Sequence, residues 1–72
     1  MNKLKEYRKT RGITQKKLSI RCGISVVTLS KIETIKNYDV SKNTMIKIAK
    51  ALDTTVQELF FTDEEEWFKW LM

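Results

Sequence analysis

The sequence predicts an all-α fold: a compact five-helix domain with a short additional C-terminal helix. Three observations carry this. Apolar residues recur at helical spacing, and no stretch alternates apolar and polar residues as a strand would. There is no proline, and the two glycines, Gly12 and Gly23, fall where helices should stop. Ser and Thr residues stand where helices should begin, since their side-chain oxygens accept from the open N–H groups of a first turn.

The first helix is expected over about residues 2–11, with Leu4 and Tyr7 turned inward. Gly12 ends it, because glycine adopts the left-handed conformation without steric cost. The second begins at Thr14, runs to about Cys22 with Leu18 and Cys22 inward, and is closed by Gly23. The third begins at Ser25 and turns Leu29 and Ile32 inward. A polar stretch follows from Lys36 to about Val40. Ser41 caps a fourth helix, in which Met45, Ile48, Ala49 and Leu52 fall at i, i+3, i+4 and i+7 on one face. Thr55 and Glu58 have the spacing of a capping box for a short fifth helix carrying Val56, Leu59 and Phe60. Thr62 is the expected cap of a last helix, whose acidic start, Asp63 to Glu66, suits the positive end of a helix dipole.

Composition excludes several function classes. Seventy-two residues make one small domain. Cys22 is the only cysteine, so no internal disulfide forms, and a reducing, cytoplasmic setting is expected. There is no histidine, and one cysteine cannot build a metal site, so no metal or cofactor is expected. Charged residues interrupt the chain before any apolar run of about 18 residues could span a membrane. The first residues, MNKLKEYRK, lack the apolar stretch of a signal peptide. No nucleophile–base set, paired carboxylate site or phosphate-cradling glycine loop is visible, so the chain is not expected to be an enzyme.

Charge is divided along the chain. Residues 1–50 hold thirteen of the fourteen basic residues against Glu6, Glu33 and Asp39. Residues 51–72 hold Lys69 against six acids. A basic body with an acidic tail suits a polyanionic partner for the body alone.

The stretch that names a mechanism is residues 14–33, TQKKLSIRCGISVVTLSKIE. It places two helix starts around a glycine turn, with a small residue, Ser19, where two crossing helices would approach closely. From Leu4 to Phe60 the chain resembles the lambda-repressor-like (Cro/repressor) helix-turn-helix family. The segments LKEYRKTRGITQKKL, GIS, TLSKIE, IKIAKAL and VQELF carry the likeness, in the family's order and spacing. The resemblance implies a DNA-binding domain over residues 1–61, with the helix-turn-helix at 14–33. Residues 62–72 form an acidic and aromatic helix for packing or dimerisation.

The resemblance also implies roles. The third helix, about residues 25–33, would enter the major groove, whose width admits one α-helix. Val26, Val27, Ser30 and Lys31 would face base edges. Gln15, Ser25, Thr28, Lys36, Asn37, Lys42 and Asn43 would meet phosphates, with Gln15 also bracing the start of the third helix. Arg8 and Glu33 would form a partly buried ion pair. Two departures stand out. The family often has polar or basic residues where Val26 and Val27 stand, which here suggests contact with thymine methyl groups. Their alternatives are a place in the core or a protein contact. The common Asn-Gly after the glutamate is replaced by Thr34-Ile35, so the third helix is free to continue past Glu33.

Trp67, Trp70 and Leu71 fall at i, i+3 and i+4, with Phe68 beside them. They either fold back on the small core or form a dimer interface, where aromatics are enriched. The expected function is a sequence-specific regulator binding double-stranded DNA, a repressor on a pseudo-palindromic operator, as a homodimer through Trp67, Phe68, Trp70 and Leu71. The alternative is a protein-interaction module such as the antitoxin of a toxin–antitoxin pair.

Overall fold

Among the described residues six helices follow one another: α1 (Leu4–Thr10), α2 (Gln15–Cys22), α3 (Val26–Thr34), α4 (Lys42–Ala51), α5 (Val56–Phe60) and α6 (Glu64–Leu71). The computed structural model describes residues 2–36, 38–61 and 64–72, with the backbone alone for 64–67. The described residues are all-helical, as expected, and contain no strand. Thr62, the expected cap of the last helix, lies outside them.

Each predicted helix forms, and the capping chemistry explains the boundaries. The hydroxyls of Thr14, Ser25, Ser41 and Thr55 accept from the backbone N–H three residues on, in α2, α3, α4 and α5. The start of α1 differs from the expectation. Asn2 stays outside the helix: its Oδ1 accepts from the Leu4 N–H, and its Nδ2 donates to the Ile32 carbonyl at 2.9 Å. The capping box at α5 is only half made. Thr55 caps, but the Glu58 carboxylate accepts from the Thr54 hydroxyl at 2.7 Å.

Two helix ends use the same device. Gly12 has φ +64°, with Gly12 N–H bonded to Lys9 O and Ile13 N–H to Arg8 O. This pair of bonds defines a Schellman end, and it turns Ile13 into the core. At the end of α4 the same pair runs from Asp53 N–H to Lys50 O and from Thr54 N–H to Ala49 O. Here Asp53, not glycine, takes the left-handed conformation, at φ +53°. Gly23 has φ +75°, and a Cβ there would meet nothing within 4 Å. Its glycine is therefore required by the backbone angle, not by crowding between α2 and α3.

The core draws on every element from α1 to α5: Leu4, Leu18, Leu29, Ile48, Leu52 and Leu59 are fully buried. α2 packs on α3 and α4, α4 on α5, and α1 on α3 and α5. Tyr38 and Val40, in a stretch expected to be polar, pack half-buried against this core. They anchor the α3–α4 loop. No helix among the described residues is long and apolar enough to cross a membrane.

One charged group enters the interior. The Glu33 side chain is 1% exposed, and Arg8 meets it with two parallel bonds, Nε to Oε2 at 2.9 Å and Nη2 to Oε1 at 3.1 Å. Arg8 Nη1 donates to the Ile13 carbonyl at 2.9 Å. The predicted pair thus joins α1, the α1–α2 turn and the end of α3.

Removing one partner strands the other's buried charge. Arg8→Ala is expected to cost about 3–5 kcal/mol, read as a lowered urea midpoint with unchanged m-value. Two backbone substitutions should move stability in opposite directions. Gly23→Ala should lose about 1 kcal/mol, and Asp53→Gly should gain up to about 1 kcal/mol, because left-handed backbone disfavours a Cβ. Parallel thermal melts check both signs.

Candidate nucleic-acid interface

The anchoring of α3 decides which of its side chains are presented. Leu29, Ile32 and Glu33 are buried on one side. With successive residues about 100° apart, Val27, Ser30, Lys31 and Thr34 occupy an arc of about 100° on the other side. Val27 is 64% exposed, Lys31 and Thr34 are exposed, and Ser30 is half-buried. Val26 lies at the edge of this arc, 39% exposed. Neither valine belongs to the core, so that alternative for them is excluded. The four residues expected to face bases therefore share one outward face of α3.

Thr34 was not singled out by the sequence reading. It extends the face by one residue because α3 does continue past Glu33, to an extended Ile35 whose N–H bonds to Lys31 O. The missing glycine after Glu33 was the available signal. The Thr34 hydroxyl donates to Ser30 O at 2.8 Å, so its lone pairs remain the outward function.

Ser25 and Thr28 divide the work at the start of α3. Ser25 Oγ accepts from the Thr28 N–H at 3.1 Å and donates to Thr28 Oγ1 at 2.9 Å. Ser25 is thereby committed to capping. The Thr28 hydroxyl, as acceptor of that bond, keeps its own proton to donate elsewhere. Ser41 and Thr44 repeat the arrangement at α4.

Three of the remaining expected phosphate-contacting residues, Gln15, Lys42 and Asn43, stand at helix starts. Gln15 opens α2, half-buried, with no hydrogen bond to α3. Lys42 and Asn43 open α4 and are exposed. Lys36 is exposed in the α3–α4 loop, and Asn37 lies outside the described residues.

The helix starts differ in charge. The first turns of α1 and α5 contain Glu6 and Glu58, which suit the positive dipole end. The first turns of α2, α3 and α4 contain no acid. Those of α2 and α4 carry Lys16, Lys17 and Lys42 instead. Placing cations there is unfavourable unless an anion arrives, and free N–H groups with a positive dipole end receive phosphate oxygens well.

The helix-turn-helix family model matches residues 4–59. The chain belongs to the Cro/C1-type helix-turn-helix family. Among relatives of this family, an uncharacterized HTH-type transcriptional regulator of Methanocaldococcus jannaschii is 37% identical over 65 residues, covering 90% of this chain and 97% of the relative. A second uncharacterized HTH-type transcriptional regulator, from Archaeoglobus fulgidus, is 34% identical over 68 residues, covering 93% and 96%. Among solved structures, a chain of the SinR protein/SinI protein complex superposes with a TM-score of 0.77 at 29% identity, over 96% of this chain and 71% of that one. A DNA-binding transcriptional regulator of the helix-turn-helix class is the function these relationships support.

The tail divides the aromatic set expected to act together. Trp70 is half-buried against the core and tilted on Phe61, with ring centroids 5.6 Å apart. Phe68 and Leu71 are exposed. Trp70 and Leu71 therefore face different ways, although i, i+1 neighbours looked like parts of one face when counted from Trp67. The Trp67 side chain lies outside the described residues.

Capping at α3 has its own check. Ser25→Ala should lower stability by about 1 kcal/mol and Ser25→Gly by only a few tenths. Equal, negligible losses in urea titrations would remove Ser25 from the capping role.

Proposed function

We propose that this chain is a sequence-specific repressor that binds double-stranded DNA by inserting α3 into the major groove. The observation that carries the reading is the outward arc of Val27, Ser30, Lys31 and Thr34, directly opposite the buried trio that fixes the helix. No structural need accounts for an exposed valine in that arc. Val26 and Val27 pack on thymine methyl groups, and Lys31 donates to guanine O6 and N7 or to a phosphate.

Gln15, Thr28, Lys36, Asn37, Lys42 and Asn43 grip the backbone and set register, while base contacts supply sequence. Ser25 serves this grip through its cap, which orients the Thr28 hydroxyl. Residues 1–61 form the DNA-binding unit. Residues 62–72 hold two copies together, through Phe68 and Leu71 with Trp67, while Trp70 braces the helix from within. A homodimer places two copies of α3 on a pseudo-palindrome with half-sites about one helical turn, ~34 Å, apart.

The protein-interaction reading draws on two observations: the exposed apolar end of α6 and the SinR neighbour's presence in a complex with another protein. It leaves the outward face of α3 and the acid-free helix starts without a purpose, so DNA binding is preferred.

Selection from random duplexes should enrich a pseudo-palindrome, and binding to it should fall steeply with salt through counterion release. Failure to enrich any sequence overturns the reading. Within an enriched site, replacing contacted thymines by uracil removes only the methyl group. That change should weaken the wild-type chain about fourfold per methyl, following ~0.8 kcal/mol for a buried carbon. Val27→Ala should be insensitive to it at one position.

A further inference from the structure

Lys42 is the first residue of α4, the position in that helix where a cation is least favoured by the dipole. No acid in the first turn offsets it. The structure supplies another partner: Lys42 Nζ lies 5.1 Å from the centroid of the Trp70 ring. An indole face attracts a cation through its quadrupole. The ring is itself held in place, because Trp70 packs half-buried on the core and against Phe61 at the α5–α6 junction. Lys42 remains exposed, so the ammonium can contact the ring on one side and donate elsewhere with its three N–H bonds.

We infer that Trp70 is a positioning residue for DNA binding: it holds Lys42 at the start of α4 in the pose that meets a backbone phosphate. The C-terminal helix thereby contributes to the grip without touching DNA. This rests on the proposed role of Lys42 as a phosphate contact. A free lysine side chain samples many rotamers, and ordering it in advance reduces what binding must remove. The arrangement also explains why one aromatic of α6 turns inward while Phe68 and Leu71 stay exposed. The inward side of the helix indexes the lysine, and the outward side is available to a second copy.

A double-mutant cycle tests the inference, with full-length chains and the duplex that selection enriches, measured below the melting temperature of every variant. Lys42→Ala should weaken binding and lower the slope of log affinity against log salt by about one. Trp70→Leu should weaken binding two- to fivefold, the size of a partly exposed cation–π contact of ~0.5–1 kcal/mol. Trp70→Phe, which keeps a weaker ring face, should fall between. In the Lys42→Ala background, Trp70→Leu should change nothing further. If Trp70→Leu does not fold, Trp70→Phe carries the same cycle with a smaller effect. Equal losses from the Trp70 substitution in both backgrounds would show that Trp70 only supports the fold and would overturn the inference. An unchanged affinity for Lys42→Ala would overturn it too, leaving the DNA-binding reading intact if the wild-type chain still binds its duplex. A wild-type chain that binds no duplex defeats both.

Discussion

Glu33 brings a negative charge into a core otherwise built from aliphatic side chains, and the way that charge is met fixes the domain. Arg8 supplies a guanidinium whose planar fork matches the carboxylate. Its third nitrogen holds the Ile13 carbonyl. One side chain thus locks the angle between α1 and α3 and the turn that leads into α2. A hydrophobic pair would have packed as well but would have tolerated rotation of α3. The ion pair does not, because turning Glu33 away from Arg8 leaves a buried charge unmet. Together with buried Leu29 and Ile32, this contact sets the direction in which α3 presents Val27 and Lys31.

The helices were legible because their signals are local. The caps of α2 to α5 are hydroxyls followed by a helical run, and each glycine end is a single φ value. What was not legible depended on through-space partners. Nothing within four residues of Asn2 says that its amide will reach Ile32 O, so its exclusion from α1 was hidden. The Glu58 carboxylate had two donors within reach, the Thr55 backbone N–H of a capping box and the Thr54 hydroxyl, and spacing could not choose between them. Asp53 in a left-handed conformation was hidden because the usual marker is glycine. The burial of Tyr38 and Val40 was hidden by the polar residues around them.

The interface was legible to a similar depth. The outward positions of Val26, Val27, Ser30 and Lys31 followed from helical spacing around Leu29 and Ile32. Thr34 required knowing where α3 stops, which depends on a loop without proline or glycine. The separation of Trp70 from Leu71 required knowing how α6 lies on the core, and no periodicity states that. The two valines and the acid-free helix starts complement each other. In the proposed complex the valines would discriminate between bases, while the helix starts would attract any phosphate. Recognition would then be divided between a reading surface and a gripping surface carried by different residues.

The acid-free starts of α2, α3 and α4 also bear on the protein when no DNA is present. Three positive helix ends exist only in the folded chain; unfolding disperses them. An anion that settled on them would bind the native state in preference, and mass action would raise the apparent stability with its concentration. The domain's stability would then be a property shared with its surroundings. In an anion-poor solution the same chain rests on its own core, its helix caps and the Arg8–Glu33 pair.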